Sequence, residues 1–173
     1  MKTEEQIKGI KFEILLENLL KELGCDNVLR NVYCYKSRYR YRQVDISYNY
    51  VKHGRIYLAI IEAKYSSNGK VPYKLRSNKI KKEGNRTIEM ENLVYEVRER
   101  RHFTNAGLAL LVTNNEFEDK VKEEAKRYNI KVIEGKRLQE LYHQNGHKGS
   151  IDDAIKSIDI YKRNLRRNLI RLY

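Results

Sequence analysis

Apolar residues recur at helical spacing in the first part of the chain and at alternating spacing after it. The helical stretch begins after Thr3 and Gln6, which have the spacing of a capping box, and Gly24 is well placed to end it. The apolar positions of this stretch are Ile7, Ile10, Ile14, Leu16, Leu19, Leu20 and Leu23. Their spacing predicts one long helix.

Three strands are predicted next. Residues 28–36 are rich in Val, Tyr and Cys, residues 43–51 alternate between apolar and polar side chains, and residues 55–64 form a third run. The turn at residues 52–54 is so short that the strands on either side of it must be antiparallel.

The second half of the chain mixes helical and strand patterns. A continuous apolar run at residues 108–112 predicts a strand buried on both faces, and residues 130–133 predict a short strand. Helices are predicted at residues 88–103, 116–128 and 137–142. Because strand–helix–strand units favour parallel pairing, we predict an α/β protein with a central mixed β-sheet flanked by helices.

Two segments have no clear place in that sheet. Residues 65–87, with Gly69 and Pro72, predict a long basic loop, and a loop of this length is usually functional or disordered. Residues 150–173 predict an extra C-terminal helix, whose apolar seam could pack on the domain or on a second copy of the chain. Its other face is basic, with Lys156, Arg163, Arg166, Arg167 and Arg171.

The chain is strongly basic, and its basic residues are clustered. Its 173 residues include 36 Lys and Arg against 23 Asp and Glu, which gives a net charge of +13. Such a surplus favours a polyanionic partner, since each phosphate that is neutralised releases condensed counterions. No acidic residue lies between Asp26 and Asp45, and only Glu83 lies between residues 64 and 89. Nucleic acid is therefore the expected partner.

Cysteines and apolar runs narrow the class of protein. Cys25 and Cys34 are too few for a disulfide framework, and no CxxC pair indicates zinc or an iron–sulfur cluster. Neither a leader nor a membrane-spanning run is evident, so we expect a cytoplasmic protein with no membrane partner.

Two of the predicted strands carry charged residues where a strand ordinarily has none. Asp45 lies between Val44 and Ile46, and Glu62 and Lys64 lie two positions apart in the next strand. Period-two alternation places Glu62 and Lys64 on one face, and the neighbouring strand could bring Asp45 to the same place. Two acids and an amine at the end of a sheet can hold a divalent cation and orient a water molecule. These are the functions that hydrolysis of a phosphodiester requires.

The order of these residues resembles a known group of enzymes. A helix glutamate at Glu13, followed by Asp45, Glu62 and Lys64, looks like the PD-(D/E)xK, or restriction-endonuclease-like, nuclease superfamily. The motif Gly9-Ile10-Lys11-Phe12-Glu13 is similar to the G-x-x-F-E helix of Mrr-like restriction endonucleases. The resemblance extends to the archaeal Holliday junction resolvases and covers about residues 9–142.

The chain departs from that pattern in two places. Val44 stands where a proline often precedes the motif aspartate. Glu62 stands where Mrr-like enzymes often carry Gln, which makes the expected metal site look more like that of a resolvase.

The resemblance implies a Mg²⁺-dependent DNA endonuclease, either structure-specific like a junction resolvase or of restriction type, with Mn²⁺ able to replace Mg²⁺. The implied catalytic residues are Glu13, Asp45, Glu62 and Lys64, and the implied metal ligands are Asp45, Glu62, Glu13 and the carbonyl of Ala63. Lys64 would favour hydroxide and stabilise developing negative charge. Glu17, one turn after Glu13, is a rival for the role of the helix acid.

The expected DNA contacts lie in the two basic clusters. They are Arg38, Arg40, Arg42, Lys70, Lys74, Arg76, Lys79, Lys81 and Lys82. The interleaved tyrosines at positions 33, 35, 39 and 41 could stack on bases or line a sheet. A homodimer is expected, because cutting two strands usually needs two active sites. Residues 1–145 would form the nuclease domain, and residues 150–173 would dimerise, contact DNA, or do both.

Two other interpretations stay open. Glu62 and Lys64 could form a structural salt bridge, with Asp45 capping a turn. The chain could also be a DNA-binding module that kept the fold without cleavage. The retained set of charged residues argues against such a module, because burying a charge is costly.

Overall fold

The computed structural model describes residues 2–83, 86–160 and 167–172, and for residues 76–83 and 86–91 it describes the backbone alone. The elements are α1 (Glu4–Glu22), β1 (Asp26–Ser37), β2 (Arg40–Lys52), β3 (Arg55–Lys64), β4 (Lys74–Glu83), β5 (Arg86–Asn92), α2 (Leu93–Thr104), β6 (Leu108–Thr113), α3 (Asp119–Arg127), β7 (Lys131–Ile133), α4 (Gly135–Gln144), α5 (Ile151–Ser157) and β8 (Asn168–Arg171). No helix among the described residues is long and apolar enough to cross a membrane.

A mixed sheet of six strands forms the centre of the molecule, in the order β7-β6-β3-β2-β1-β8. The β1–β2 and β2–β3 pairs are antiparallel, whereas β3–β6, β6–β7 and β1–β8 are parallel. Helices α1, α4 and α5 contribute to one hydrophobic cluster on the sheet, and α2 and α3 contribute to a second. The predicted α/β architecture with helices flanking a mixed sheet is confirmed.

The first helix begins and ends as its sequence predicts. The Thr3 side chain accepts a hydrogen bond from the backbone of Gln6, and the Gln6 side chain accepts one from the backbone of Thr3, which completes a capping box. After the helix, Gly24 has a φ of 78°, a conformation that favours glycine. The helix buries Phe12 and Leu16 against the sheet, and this packing orients the residues beside them.

The predicted basic loop at residues 65–87 is wrong in its second half. β4 and β5 pair there as an antiparallel hairpin outside the central sheet. The helix predicted from residue 88 instead begins at Leu93, because the Asn92 side chain accepts a hydrogen bond from the backbone N–H of Tyr95 and caps the helix at that point. Residues before the cap continue the hairpin.

The predicted C-terminal helix over residues 150–173 is also wrong. α5 begins after Ser150, whose side chain caps it, but it spans only seven residues. Asn168–Arg171 then form β8, which pairs with residues 32–35 of β1 and covers that part of its open edge. Lys162, Leu165 and the basic residues Arg163 and Arg166 lie outside the described residues.

Candidate active site

Two adjacent strands bring the predicted acids together. β2 and β3 are antiparallel neighbours, and Ile46 lies opposite Ile61 in their register. Asp45 therefore reaches the backbone beside Glu62, and its Oδ2 accepts a hydrogen bond of 2.8 Å from the N–H of Ala63. The alternation of residues in these two strands is what places the side chains side by side.

Glu62 is buried between two cations. Its Oε1 accepts a hydrogen bond of 2.6 Å from Lys64 Nζ, and its Oε2 accepts one from Arg100 Nη1. Only 4% of its side chain is exposed. The Glu62–Lys64 salt bridge considered from the sequence is thus present, but it is partly buried and belongs to a larger charged cluster.

Arg100 and Glu96 extend this cluster onto α2. The second terminal nitrogen of Arg100, Nη2, donates a hydrogen bond of 2.7 Å to Glu96 Oε1, one helical turn earlier. Both residues are buried. The sequence analysis did not identify these two residues. A signal was present: an acid and a base lie four positions apart and share the inner side of the helix with the apolar Leu93 and Val97.

Glu13 faces the same cluster from α1. Its Oε2 lies 3.7 Å from Nη1 of Arg30, a buried residue of β1. The rival acid, Glu17, pairs more closely with Arg30, at 3.1 Å, and also accepts a hydrogen bond of 2.6 Å from Lys21. Glu17 is therefore paired with two cations. Glu13 is the helix acid that interacts electrostatically with Asp45 and Glu62.

The acids of this site differ in pKa. Burial, together with the charge of Asp45, raises the pKa of Glu13 to about 8. Burial, together with the charge of Glu62, raises the pKa of Asp45 to about 6, although Lys64 and Arg100 oppose this. Burial would raise the pKa of Glu62 as well, but the charges of Arg100 and Lys64 outweigh it and lower the pKa to about 2.

Lys64 stays protonated in this environment. Burial alone would lower the pKa of its ammonium group, but the charges of Glu62 and Asp45 outweigh that effect and raise it. A lysine of this kind supplies positive charge and does not accept a proton near neutral pH.

The chemistry of the acids suits a divalent cation. Glu13 and Asp45 are hard oxygen ligands whose ionised forms repel each other, and a cation between them would relieve that repulsion and favour their ionised forms. A complete ligand sphere is not formed, because the described residues contain no group of three metal-ligating side chains placed around one point. Glu62 is engaged by its two cations and Asp45 by the Ala63 N–H. The residues present therefore fit Mg²⁺ in kind, and binding would require these contacts to rearrange.

The predicted DNA contacts fall into three groups. Arg38, Arg40, Lys70 and Lys74 are exposed. Arg42 is 2% exposed, donates to Glu99 through Nε at 2.8 Å and lies over the ring of Phe103, which contradicts its predicted role as a DNA contact. The side chains of Arg76, Lys79, Lys81 and Lys82 lie outside the described residues. Of the interleaved tyrosines, Tyr39 and Tyr41 are exposed, whereas Tyr33 and Tyr35 are half-buried.

One protein family is similar to part of the chain. The Mrr_cat family model, described as a restriction endonuclease, matches residues 79–142, which include α2, β6, α3, β7 and most of α4. The match supports the PD-(D/E)xK superfamily. The matched family suggests a nuclease, and the mixed sheet with its flanking helices is consistent with a restriction-endonuclease-like fold. The matched segment contains Glu96 and Arg100, and it begins after the strands that carry Asp45 and Glu62.

Comparisons with individual proteins add information on the fold alone. A search of curated proteins found no match. Among solved structures, a protein of unknown function, AF1548, is similar with a TM-score of 0.59 and 16% identity, over 88% of this chain and 73% of that one. The protein VC1899 from Vibrio cholerae is similar with a TM-score of 0.47 and 16% identity, over 78% of this chain and 31% of that one.

Proposed function

We propose that the chain is a Mg²⁺-dependent endonuclease that hydrolyses phosphodiester bonds in duplex or branched DNA. The observation that carries the proposal is the meeting of Asp45, Glu62 and Lys64 on two adjacent strands, with Glu13 facing them from α1. The family match and the net charge of +13 support the same reaction and the same polyanionic substrate.

Each residue of the site has a distinct part in this proposal. Asp45 and Glu62 would hold the ion, with Glu13 and the Ala63 carbonyl as further ligands, and Mn²⁺ would replace Mg²⁺. The chemistry supplied by the ion, when bound, is neutralisation of phosphate charge and activation of a water. Lys64, protonated and partly exposed, would stabilise the negative charge that develops on the phosphate during attack.

The exposed basic residues would position the DNA. Arg38 and Arg40 lie where the β1–β2 hairpin turns, and Lys70 and Lys74 lie on the segment that follows β3. Contacts from such side chains to phosphates set the register of the DNA without reading its sequence. A homodimer remains part of the proposal because two strands must be cut, but residues 150–173 no longer provide a continuous helix for the interface.

A non-catalytic DNA-binding module is the second candidate, and one observation favours it. Both oxygens of Glu62 are occupied by cations of the protein itself, so that the acid is neutralised without a metal ion. In that case the charged cluster would be structural, and the basic surface would bind DNA without hydrolysis.

A cleavage assay separates the two candidates. The protein would be incubated with branched, linear and supercoiled DNA, in Mg²⁺ and in EDTA, together with the variants Asp45→Ala and Lys64→Ala. The nuclease proposal predicts cleavage in Mg²⁺ only, with at least about a hundredfold loss in either variant. Cleavage that is unchanged in the variants, or DNA binding with no cleavage of any substrate, would refute it. Selective cutting of the branched DNA would favour the resolvase type.

A further inference from the structure

A cavity of about 570 Å³ lies next to the candidate active site. Lys64 lines it, together with residues 65–68 of the segment that follows β3 and Leu93 at the beginning of α2. This volume falls within the roughly 300–1,000 Å³ of typical small-molecule sites. The cavity therefore shares Lys64 with the proposed site of hydrolysis and is large enough to hold part of a substrate.

Hydrogen bonds fix the segment that forms one wall of the cavity. The backbone N–H of Ser66 donates to the Asn114 side chain at 2.8 Å, and that side chain donates back to the Ser66 carbonyl at 3.0 Å. The Val71 N–H donates to the Glu116 carbonyl at 2.7 Å. A wall held in this way is preformed, so that a ligand need not order it on binding.

The walls of the cavity combine apolar and polar surfaces. Pro72, Leu75 and Leu93 present apolar surface. The side chains of Ser67 and Asn68 also line the cavity, and within the described residues they make no hydrogen bond, so they can donate to or accept from a ligand.

Charged side chains also line the cavity. Lys64 and Lys74 both line the cavity, and so does one acid, Glu5 of α1, so that the lining has two cations against one carboxylate. Lys74 is exposed. A ligand with a flat apolar face, a polar edge and an attached anion would match this arrangement. A nucleotide has these three properties together.

We propose that the cavity binds one nucleobase of the DNA, unstacked from its neighbours, while Lys64 and Lys74 contact the phosphates that adjoin it. The base would lie against Leu75 and Leu93, and its polar edge would bond to Ser67 and Asn68. The proposal rests on the proposed function, since Lys64 belongs to both sites. It defines the substrate as DNA in which a base beside the cleaved phosphate is unpaired or becomes extruded from the duplex.

Metal-free binding tests this proposal separately from cleavage. In EDTA, fluorescence anisotropy would measure the binding of a short labelled oligothymidylate and of an abasic oligomer of equal length, which has the same phosphates and no bases. We expect the abasic oligomer to bind about 5- to 100-fold more weakly, the range that stacking of one base provides.

Two variants locate that difference in the cavity. Ser67→Trp introduces a large side chain at the exposed rim and should remove most of the difference between the two oligomers, whereas Asn68→Ala should reduce it in part. The control Ser157→Trp, at an exposed position of α5 outside the cavity lining, should retain it. Circular dichroism would check that each variant is folded. If Ser67→Trp does not fold, the test rests on Asn68→Ala.

Equal binding of the two oligomers by the unmodified protein would overturn the proposal. So would a difference that survives in Ser67→Trp and Asn68→Ala. If only the proposed function is wrong, the protein would still bind DNA in a base-dependent manner in EDTA but would cut no DNA in Mg²⁺. Cleavage in Mg²⁺ without base-dependent binding would refute the base site alone.

Discussion

Glu62 and the pair formed by Glu13 and Asp45 belong to one site, yet their surroundings are opposite. Although burial acts to raise it, the pKa of Glu62 falls to about 2, because Arg100 and Lys64 contact its two oxygens. Burial and neighbouring negative charge raise the pKa of Glu13 to about 8 and that of Asp45 to about 6. The protein itself stabilises the ionised form of the first acid, whereas the ionised forms of the other two are left for a ligand to stabilise.

This difference indicates where a cation would bind first. Glu13 and Asp45 gain most from a divalent ion, since their mutual repulsion would be relieved. Glu62 would join the ion only after its contact with Arg100 is loosened. The site therefore has a structural half, centred on Arg100, and a ligand-binding half, centred on Asp45.

Removing Arg100 should have the largest effect on stability. Arg100→Met leaves the buried carboxylates of Glu62 and Glu96 without their shared cation, and breaking a buried ion pair in this way costs about 3–5 kcal/mol. Urea unfolding would measure the loss. The matched control is Arg98→Met on the same helix, an exposed arginine over the ring of Tyr128, which should cost about 1 kcal/mol or less. Equal effects of the two substitutions would show that the Arg100 cluster is not structural.

Adding Mg²⁺ without DNA should stabilise the protein through the other half of the site. At ten times the dissociation constant, a ligand that binds only the folded state adds about 1.4 kcal/mol to the free energy of unfolding. Asp45→Asn should abolish this gain, whereas Asp26→Asn, at an exposed position where β1 begins, should retain it. A gain that persists in Asp45→Asn would place the bound ion elsewhere.

Replacing Glu13 should have a smaller and pH-dependent effect. Its pKa in the folded protein, about 8, lies above the ordinary value of 4.5, so the fold favours the protonated form. The stability that Glu13 provides is complete below its ordinary pKa and is lost as the pH rises through about 8.

Glu13→Gln in EDTA should therefore raise the free energy of unfolding by at least about 1 kcal/mol at pH ~9 and change it little at pH ~4. Urea unfolding at the two pH values would measure it, with Glu123→Gln on the exposed face of α3 as the control. A loss of stability at the higher pH would contradict the charge repulsion described here.

The local patterns of the sequence were sufficient to predict the part of the site that lies on β2 and β3. Alternation along these strands, with a short turn between them, fixes both their pairing and the face that carries Glu62 and Lys64. The capping box and the apolar spacing of α1 likewise place Glu13 on a helix. Each of these features depends on neighbours within a few residues.

Features that depend on distant partners could not be predicted in the same way. β8 forms because β1 offers an open edge more than a hundred residues away, while the leucine spacing of the segment is also compatible with a helix. Arg42 appeared to be one more exposed arginine in a basic cluster, and its burial depends on Glu99 and Phe103 of α2. Arg100 reaches Glu62 across 38 positions of the chain.

Cleavage of DNA by the protein and by Asp45→Asn, over a series of Mg²⁺ concentrations, tests the central claim most directly. Supercoiled and branched substrates would be used, with Asp26→Asn as the matched control. We predict cutting that rises with Mg²⁺, is absent in EDTA, is unchanged in Asp26→Asn and falls at least about a hundredfold in Asp45→Asn. Cleavage by Asp45→Asn at the rate of the unmodified protein, or no cleavage of either substrate at any Mg²⁺ concentration, would contradict it.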